Sequence, residues 1–275
     1  MYSAPLIATI LAGACLHVTS AHWILAGVGD NNGPISNESV WTTDDDDPAT
    51  LTGEGLECGN MLTPPKASLA VQAGDNVTGQ LMYTSSILAF KNAPEHIGCC
   101  AVYLQPQYDN NWYKIEEMGT DSCGVFCSQY ITVDNSKYEV LIPKTIPNGN
   151  YKLRFENIAF QSSIPQIYGR CANITVTGGP GPNDGNLSNL GKGVDLNIKA
   201  YSYLKEVNIW ELGVIVQNGS DPTTPACQTR IAKAFDKIGL PGPPVISGGT
   251  NYIKVGNNTY DNVTPLQGGG TNTTT

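Results

Sequence analysis

The amino-acid sequence predicts a mostly β protein, an immunoglobulin- or fibronectin-like β-sandwich with long loops and few short helices. Short strand-like runs alternate with turn signals along the chain, and helical periodicity is sparse. The length of 275 residues suits one large domain with appendages. Many short strands separated by turns are typical of two packed sheets.

The clearest strand follows a turn at 147–150, where apolar and charged residues alternate with a period of two. This period places the apolar residues on one face and the charged residues on the other. The apolar set is Tyr151, Leu153 and Phe155, and the charged set is Lys152, Arg154 and Glu156. Further strands are predicted at 68–72, 77–84, 101–105, 130–133, 139–142 and 172–176, and one short helix at 228–238.

The first 21 residues are typical of a secretory signal peptide, although a basic start is missing. Their apolar run, 6–16, is too short to span a bilayer, and small residues precede a cleavage site after Ala21. Cleavage there makes His22 the first residue of a secreted, extracellular protein; cleavage one residue earlier is the alternative. We expect a sandwich domain at 22–247 and a flexible, glycosylated tail rich in Gly, Asn and Thr at 248–275.

The composition narrows the choice of partners. A net charge of −9 and an isoelectric point near 4.7 argue against nucleic acid and against an anionic membrane surface. We expect a soluble monomer. Eight N-x-[ST] sequons indicate a surface that tolerates glycans; they begin at Asn37, Asn76, Asn173, Asn186, Asn218, Asn257, Asn262 and Asn272.

Cysteines support an oxidising compartment. Without Cys15 of the signal, seven remain, so one thiol is free or pairs between molecules. The closeness of Cys123 and Cys127 predicts a small local disulfide loop. A structural zinc site is disfavoured because no C-x-x-C pair is present.

Only two histidines, His22 and His96, remain after the signal is removed. An N-terminal histidine offers its amine and its ring nitrogen to one metal, and a second imidazole completes three nitrogens. Such a tetragonal nitrogen set suits Cu(II). Chance placement of His22 after the signal, and a surface or packing role for His96, are the alternatives that the spacing leaves open.

A series of motifs, in order, resembles the fungal lytic polysaccharide monooxygenases of auxiliary activity family nine, formerly glycoside hydrolase family sixty-one. The matching segments are His22, 32–34, 56–60, 73–78, His96 to Gly98 with 102–104, 112–115, 146–156, 165–168 with Cys171, 174–178 and 240–245. Together they cover roughly residues 22–247.

The resemblance implies a copper-dependent enzyme that cleaves β-1,4-glucan, most specifically cellulose, by oxidation at C1 or C4 with an external electron donor. It implies His22, His96 and Tyr168 as ligands of one copper ion and Gln166 as a hydrogen-bonding neighbour. It also implies a disulfide between Cys58 and Cys171. Without the resemblance, Tyr168 is a core tyrosine and Gln166 an ordinary polar strand residue.

Several positions depart from the family pattern. Gln161 stands where the family has a histidine, and an amide cannot shuttle protons as imidazole does. Trp23 replaces a smaller residue, and 193–234 match poorly. In that segment Tyr201, Tyr203 and Trp210 are candidates for substrate contact or for core packing.

Two alternatives to the enzyme stay open. One is a secreted copper- or glycan-binding protein of the same fold without oxidative activity. The other is a carbohydrate-binding or adhesion domain without metal. The adjacent pair Glu116 and Glu117 does not indicate a glycoside hydrolase, since neighbouring residues of a strand point to opposite faces.

Overall fold

The structure, a computed structural model, describes residues 23–31, 33–43, 47–49, 55–82, 98–119, 126–133, 136–160, 165–181, 185–196, 201, 243–255 and 259–262. Strands dominate these residues. They are β1 (Ile24–Asp30), β2 (Thr42–Thr43), β3 (Met61–Thr63), β4 (Leu69–Gln72), β5 (Asn76–Met82), β6 (Gly98–Pro106), β7 (Tyr113–Met118), β8 (Lys137–Leu141), β9 (Gly149–Ala159), β10 (Gln166–Thr177), β11 (Thr250–Val255) and β12 (Thr259–Asn262), with one helix in the described part, α1 (Cys127–Val133).

Two sheets pack face to face, which confirms the predicted β-sandwich. The smaller sheet has the order β1-β5-β8, and the larger has the order β12-β11-β7-β6-β9-β10-β4. Apolar residues from both sheets form one cluster, here called the inner core. Removing one such side chain from water contributes about 1.5–3 kcal/mol. Its members include Leu25, Val77, Val102, Val140, Leu153, Phe155 and Tyr168.

Strand β9 has the predicted alternation, but its charged face is buried too. Leu153 and Phe155 face the inner core, whereas Arg154 and Glu156, on the other face, are 0% and 1% exposed. A second apolar cluster, here called the outer cluster, covers that face. It includes Leu56, Cys58, Tyr103, Trp112, Phe126, Ile158, Ile167 and Tyr201, many of them from loops. The larger sheet is therefore a middle layer.

The strand predicted at 130–133 is wrong, because these residues belong to helix α1 (Cys127–Val133). Its short apolar run, 130–133, fits a strand or a buried helical turn equally well by periodicity. The buried residues Cys127 and Ile131 decide the outcome, since both pack into the inner core. No helix among the described residues has the length and apolar character needed to cross a bilayer.

The start of the predicted flexible tail contains strands. Thr250 and Asn251 of β11 pair in parallel with Glu116 and Glu117 of β7, and β12 pairs with β11. The sequence Tyr252–Val255 has the β-branched and aromatic composition that sheets favour, and the surrounding Gly, Asn and Thr obscured it. The domain boundary at 247 stays a prediction.

Candidate functional site

The site lies at one end of the sandwich, where β6 and β10 begin and β9 ends. Gly98 of β6 and Gln166 of β10 both pair with Ala159 of β9, so these three residues form one row across the sheet. Neighbouring strands lie about 4.8 Å apart, which separates the Cα atoms of Gly98 and Gln166 by about 10 Å. The position two residues after His96 in the sequence is therefore close to the predicted pair of Gln166 and Tyr168.

Tyr168 lies two rows further along, on the same face of the sheet as Gln166, and is fully buried. Its hydroxyl donates a hydrogen bond of 3.2 Å to the Gln166 Oε1 atom. The Trp23 ring, 1% exposed, packs on it with ring centroids 6.1 Å apart. The residue that follows His22 in the sequence thus contacts the predicted tyrosine ligand.

Arg170 holds Trp23 from a second direction. Its guanidinium carbon lies 5.8 Å from the centroid of the Trp23 ring, within the range of a cation–π interaction. The guanidinium also donates hydrogen bonds of 2.9 Å to the backbone carbonyls of Gly169 and Asp47. The large side chain at position 23 is thereby fixed between a tyrosine and a buried cation, which accounts for a departure from the family pattern.

Two disulfides tie the loops around this end to the larger sheet. Cys58 pairs with Cys171, the pairing that the resemblance implies. Cys127 pairs with Cys100, so the predicted loop between Cys123 and Cys127 is wrong. Nearness in sequence does not predict the partner of Cys127. That partner is Cys100 of β6, and the Cα atoms of Cys100 and Cys127 are 6.0 Å apart. Cys99 is a free, buried thiol, and burial raises its pKa well above the ordinary value.

A buried charge cluster supports the loop that carries Cys58. Arg154 and Glu156 form an ion pair of 2.6 Å, and the Arg154 guanidinium donates hydrogen bonds to the carbonyls of Leu56 and Glu57. Tyr201 donates to the same carboxylate oxygen that Arg154 contacts, Glu156 Oε2. Burial raises the pKa of Tyr201 well above its ordinary value, so its phenol keeps the proton that it donates.

Tyr201 is therefore a core residue and not a substrate-facing one. It is 0% exposed and belongs to the outer cluster. Tyr203 and Trp210, the other two candidates, lie outside the described residues. Sequence reasoning missed the pairing of Arg154 with Glu156, although two opposite charges on one strand face were the signal for it.

The predicted site residues divide into two groups. The structure brings Gln166 and Tyr168 together, whereas His22, His96 and Gln161 lie outside the described residues. Within the described ranges, no group of three or more His, Cys, Asp or Glu side chains is placed to hold a metal ion. The ligand set therefore stays a prediction.

Comparison with known proteins agrees with the resemblance. The sequence profile of Auxiliary Activity family 9 (formerly GH61) matches residues 17–209, more than half of the 275-residue chain. The chain belongs to auxiliary activity family 9. Its curated relatives in this family are lytic polysaccharide monooxygenases, and the chain is an enzyme of that type.

Two relatives show the extent of the similarity. The chain is 29% identical over 215 residues to the AA9 family lytic polysaccharide monooxygenase-like protein CEL1 of Agaricus bisporus, covering 70% of this chain and 66% of that protein. It is 29% identical over 243 residues to AA9 family lytic polysaccharide monooxygenase C of Thermothelomyces thermophilus, covering 74% and 94%. The chain thus spans slightly less than two thirds of the first relative and nearly all of the second.

A solved AA9 structure has the same fold. The extended catalytic domain of H. jecorina LPMO9A aligns with a TM-score of 0.55 and 22% identity, over 87% of this chain and 97% of that domain. At this identity the likeness supports the sandwich fold alone. The substrate and the metal ligands of this AA9 chain therefore have to be inferred from its own residues.

Proposed function

We propose that this chain is a secreted, copper-dependent lytic polysaccharide monooxygenase that cleaves β-1,4-glucan, most specifically cellulose, at C1 or C4. One observation carries the proposal. Trp23, which follows His22 in the sequence, packs on Tyr168 at the end of the sandwich where β6 begins, two residues after His96. Trp23 and Gly98, one and two residues from the proposed histidine ligands in the sequence, therefore lie at the same end of the sandwich as Tyr168.

The described residues fit a copper ion at this place. Tyr168 provides a buried phenol oxygen, a weak donor that would hold a copper ion together with the histidines. His22 and His96 would hold the metal through two ring nitrogens and the N-terminal amine. The amine has an ordinary pKa of about 7.7–8.0, so it can release its proton to a metal near neutral pH. Copper, when bound, supplies one-electron redox chemistry with an oxygen co-substrate.

Gln166 has a positioning role in this proposal. Its side-chain oxygen accepts a hydrogen bond from the Tyr168 hydroxyl, and this bond sets the direction of the hydroxyl O–H. The amide group of Gln166 remains available to donate toward the site. Gln166 is partly exposed, as a residue that contacts both the buried phenol and a polar co-substrate has to be.

The charge of the chain agrees with a neutral polymer as substrate. A net charge of −9 disfavours anionic polysaccharides, since like charges repel when they approach across a contact surface. The names of the family relatives also give a polysaccharide as substrate. Oxidative cleavage consumes electrons, so an external electron donor is a required partner.

The experiment that tests this proposal uses protein shown by mass spectrometry to begin at His22. The protein is loaded with copper and incubated with ascorbate and amorphous cellulose. We expect oxidised oligosaccharides, with product masses that distinguish C1 from C4 oxidation. The matched control carries one extra residue before His22, which removes the free amine from that histidine and should abolish both tight copper binding and product formation.

A second candidate function is copper or glycan binding without oxidation. Gln161, where the family has a histidine, favours it because an amide cannot relay a proton. Tight copper binding at His22 without oxidised products from any β-glucan tested would support this candidate over the enzyme. Failure to bind copper at all would exclude both copper functions.

Secretion should be accompanied by glycosylation at exposed sequons. Asn186 is exposed, and its Oδ1 atom accepts hydrogen bonds from the backbone and the hydroxyl of Ser188. Asn173 lies within β10, is partly buried, and accepts a hydrogen bond of 2.8 Å from the Trp41 indole. We expect a glycan at Asn186 and none at Asn173, because only the former has room for one. In a secreting eukaryotic host, Asn186→Gln should lower the intact mass by one glycan, and Asn173→Gln should not.

A further inference from the structure

The first three residues of β6 are held by side chains from outside the sheet ladder. The Gly98 amide donates a hydrogen bond of 2.9 Å to the Ser128 hydroxyl of α1. Cys100 forms the disulfide with Cys127, also of α1, and the Cys127 sulfur lies 3.4 Å from the Gly98 carbonyl oxygen. On β9, the Asn157 amide donates to the Cys99 carbonyl at 3.2 Å.

This arrangement is buried and attached to the inner core. Ser128 and Cys127 are 0% exposed, and Asn157 is 2% exposed. Helix α1 is fixed in turn, because its residue Ile131 packs into the inner core. A hydrogen bond to a buried amide matters because leaving that amide without a partner costs about 1–3 kcal/mol.

Gly98 needs such external support. A Cβ atom at this position would overlap the Ile158 carbonyl and lie 2.9 Å from the Ala159 Cα atom, so no side chain fits there. The close approach to β9 leaves Gly98 with backbone atoms alone to fix its position. Those atoms are what Ser128 and Cys127 contact.

We propose that Ser128 and the Cys100–Cys127 disulfide are positioning groups for the His96 arm of the copper site. This proposal rests on the proposed function. His96 is two residues from Gly98, so a shift of the Gly98 amide moves the chain that carries the ligand. A metal ligand held loosely by its supporting residues binds more weakly, and loss of such supporting contacts typically costs about 10–100-fold in metal affinity.

The support that α1 gives to the start of β6 depends on the redox state of this disulfide. Reduction separates Cys100 from Cys127 and leaves the contacts of Ser128 and Cys127 with Gly98 as links between α1 and the start of β6. The reaction adds two electrons and two protons, which a thiol reductant supplies, and yields two thiols. The copper affinity of the reduced protein should then be lower than that of the oxidised protein.

The test compares Ser128→Ala with Ser136→Ala in protein that begins at His22. Ser136 is equally buried and follows α1, and its backbone carbonyl accepts a hydrogen bond from Leu81 of β5, so Ser136→Ala controls for the loss of a buried hydroxyl outside β6. For Ser128→Ala we expect a Kd for Cu(II) about 10-fold higher and a changed Cu(II) electron paramagnetic resonance spectrum. Ser136→Ala should keep both at the wild-type values.

Hydrogen exchange of the metal-free proteins provides a second measurement. In Ser128→Ala, the peptide that covers 96–100 should exchange faster than in the wild type and in Ser136→Ala. Unchanged exchange in this peptide together with unchanged copper affinity would overturn the positioning role. A wild-type protein that binds no copper, but whose exchange responds to Ser128→Ala as expected, would refute the proposed function and would leave Ser128 as a support of β6.

Discussion

Replacing Arg154 by methionine is expected to lower the free energy of unfolding by about 3–5 kcal/mol. The change leaves Glu156, which is 1% exposed, as a buried carboxylate without its ion-pair partner. It also removes the donors to the carbonyls of Leu56 and Glu57. A buried charge without a partner costs several times more than the loss of an exposed ion pair.

The ionisation of Arg154 shows how strongly its surroundings hold the charge. Burial alone would lower its pKa, but the Glu156 carboxylate and the hydroxyls of Tyr201 and Tyr103 together outweigh that effect and keep the pKa above the ordinary value. The Arg154 guanidinium therefore keeps its charge at neutral and alkaline pH. Methionine resembles the arginine stem in shape, so the substitution mainly removes charge and hydrogen bonds.

Lys152→Met is the matched control for this prediction. Lys152 lies on the same strand and the same face as Arg154, but it is partly exposed and its ammonium lies 5.3 Å from the Trp41 ring centroid. We expect a loss of about 1 kcal/mol or less. Urea denaturation of both variants gives the comparison, and equal losses would contradict the assignment of a special cost to the buried pair.

The double variant Arg154→Met with Glu156→Leu separates two contributions to stability. One is the ion pair of Arg154 with Glu156, and the other is the hydrogen bonds that Arg154 donates to the loop. Removing both charges should recover part of the stability lost in Arg154→Met, because no unpaired carboxylate remains. The carbonyls of Leu56 and Glu57 still lack their donor, so recovery should be incomplete. A double variant less stable than Arg154→Met would show that Glu156 stabilises the fold even without the arginine, by accepting hydrogen bonds from Tyr201 and Tyr103.

The alternation in β9 predicts which residues share a face, but it cannot predict what covers that face. The cover over Arg154 and Glu156 comes from residues such as Leu56 and Tyr201, which are 98 and 47 residues away from Arg154. Periodicity is a local property, and such cover is set by tertiary packing. The sequence therefore predicts correctly that Arg154 and Glu156 share one face of the strand, but it does not predict that this face is buried.

In the candidate site, too, some features follow from the local sequence and others depend on contacts between residues far apart in the chain. Tyr168 and Gln166 follow from a motif, since both lie on one face of one strand. The contact of Ser128 with Gly98 spans 30 residues and joins a helix that the sequence pattern presents as a strand. Trp23 against Arg170 likewise depends on two elements that periodicity does not relate.

Glutamine in place of Glu116 is expected to change how stability depends on pH. Glu116 is paired with Val102 in the sheet, faces the inner core and is 1% exposed. Burial raises its pKa to about 8, and the nearby Tyr138 hydroxyl of β8 offsets part of that effect. The folded protein therefore holds Glu116 as a neutral carboxylic acid at acidic and neutral pH.

The direction of the pH dependence follows from this raised pKa. The unfolded chain releases the Glu116 proton near pH 4.5, its ordinary pKa, and the folded protein releases it near pH 8. The contribution of the neutral acid is fully present below pH 4.5 and is lost as the pH rises toward 8. In the middle of that window the free energy of unfolding should fall by about 1.4 kcal/mol per pH unit. Because the slope is shallower at both ends, the fall over the whole window is roughly 4 kcal/mol.

Glu116→Gln removes this titration and keeps a neutral, similarly shaped side chain. The variant should match the wild type near pH 4.5 and exceed its stability at pH 8, which thermal unfolding across the pH range measures. Glu117→Gln is the matched control, because the Glu117 carboxylate is 23% exposed and paired with Lys114 at 2.8 Å. That variant should keep the wild-type slope. If Glu116→Gln also kept it, the buried carboxyl would have to be ionised in the folded core, with a cation or water close enough to compensate its charge.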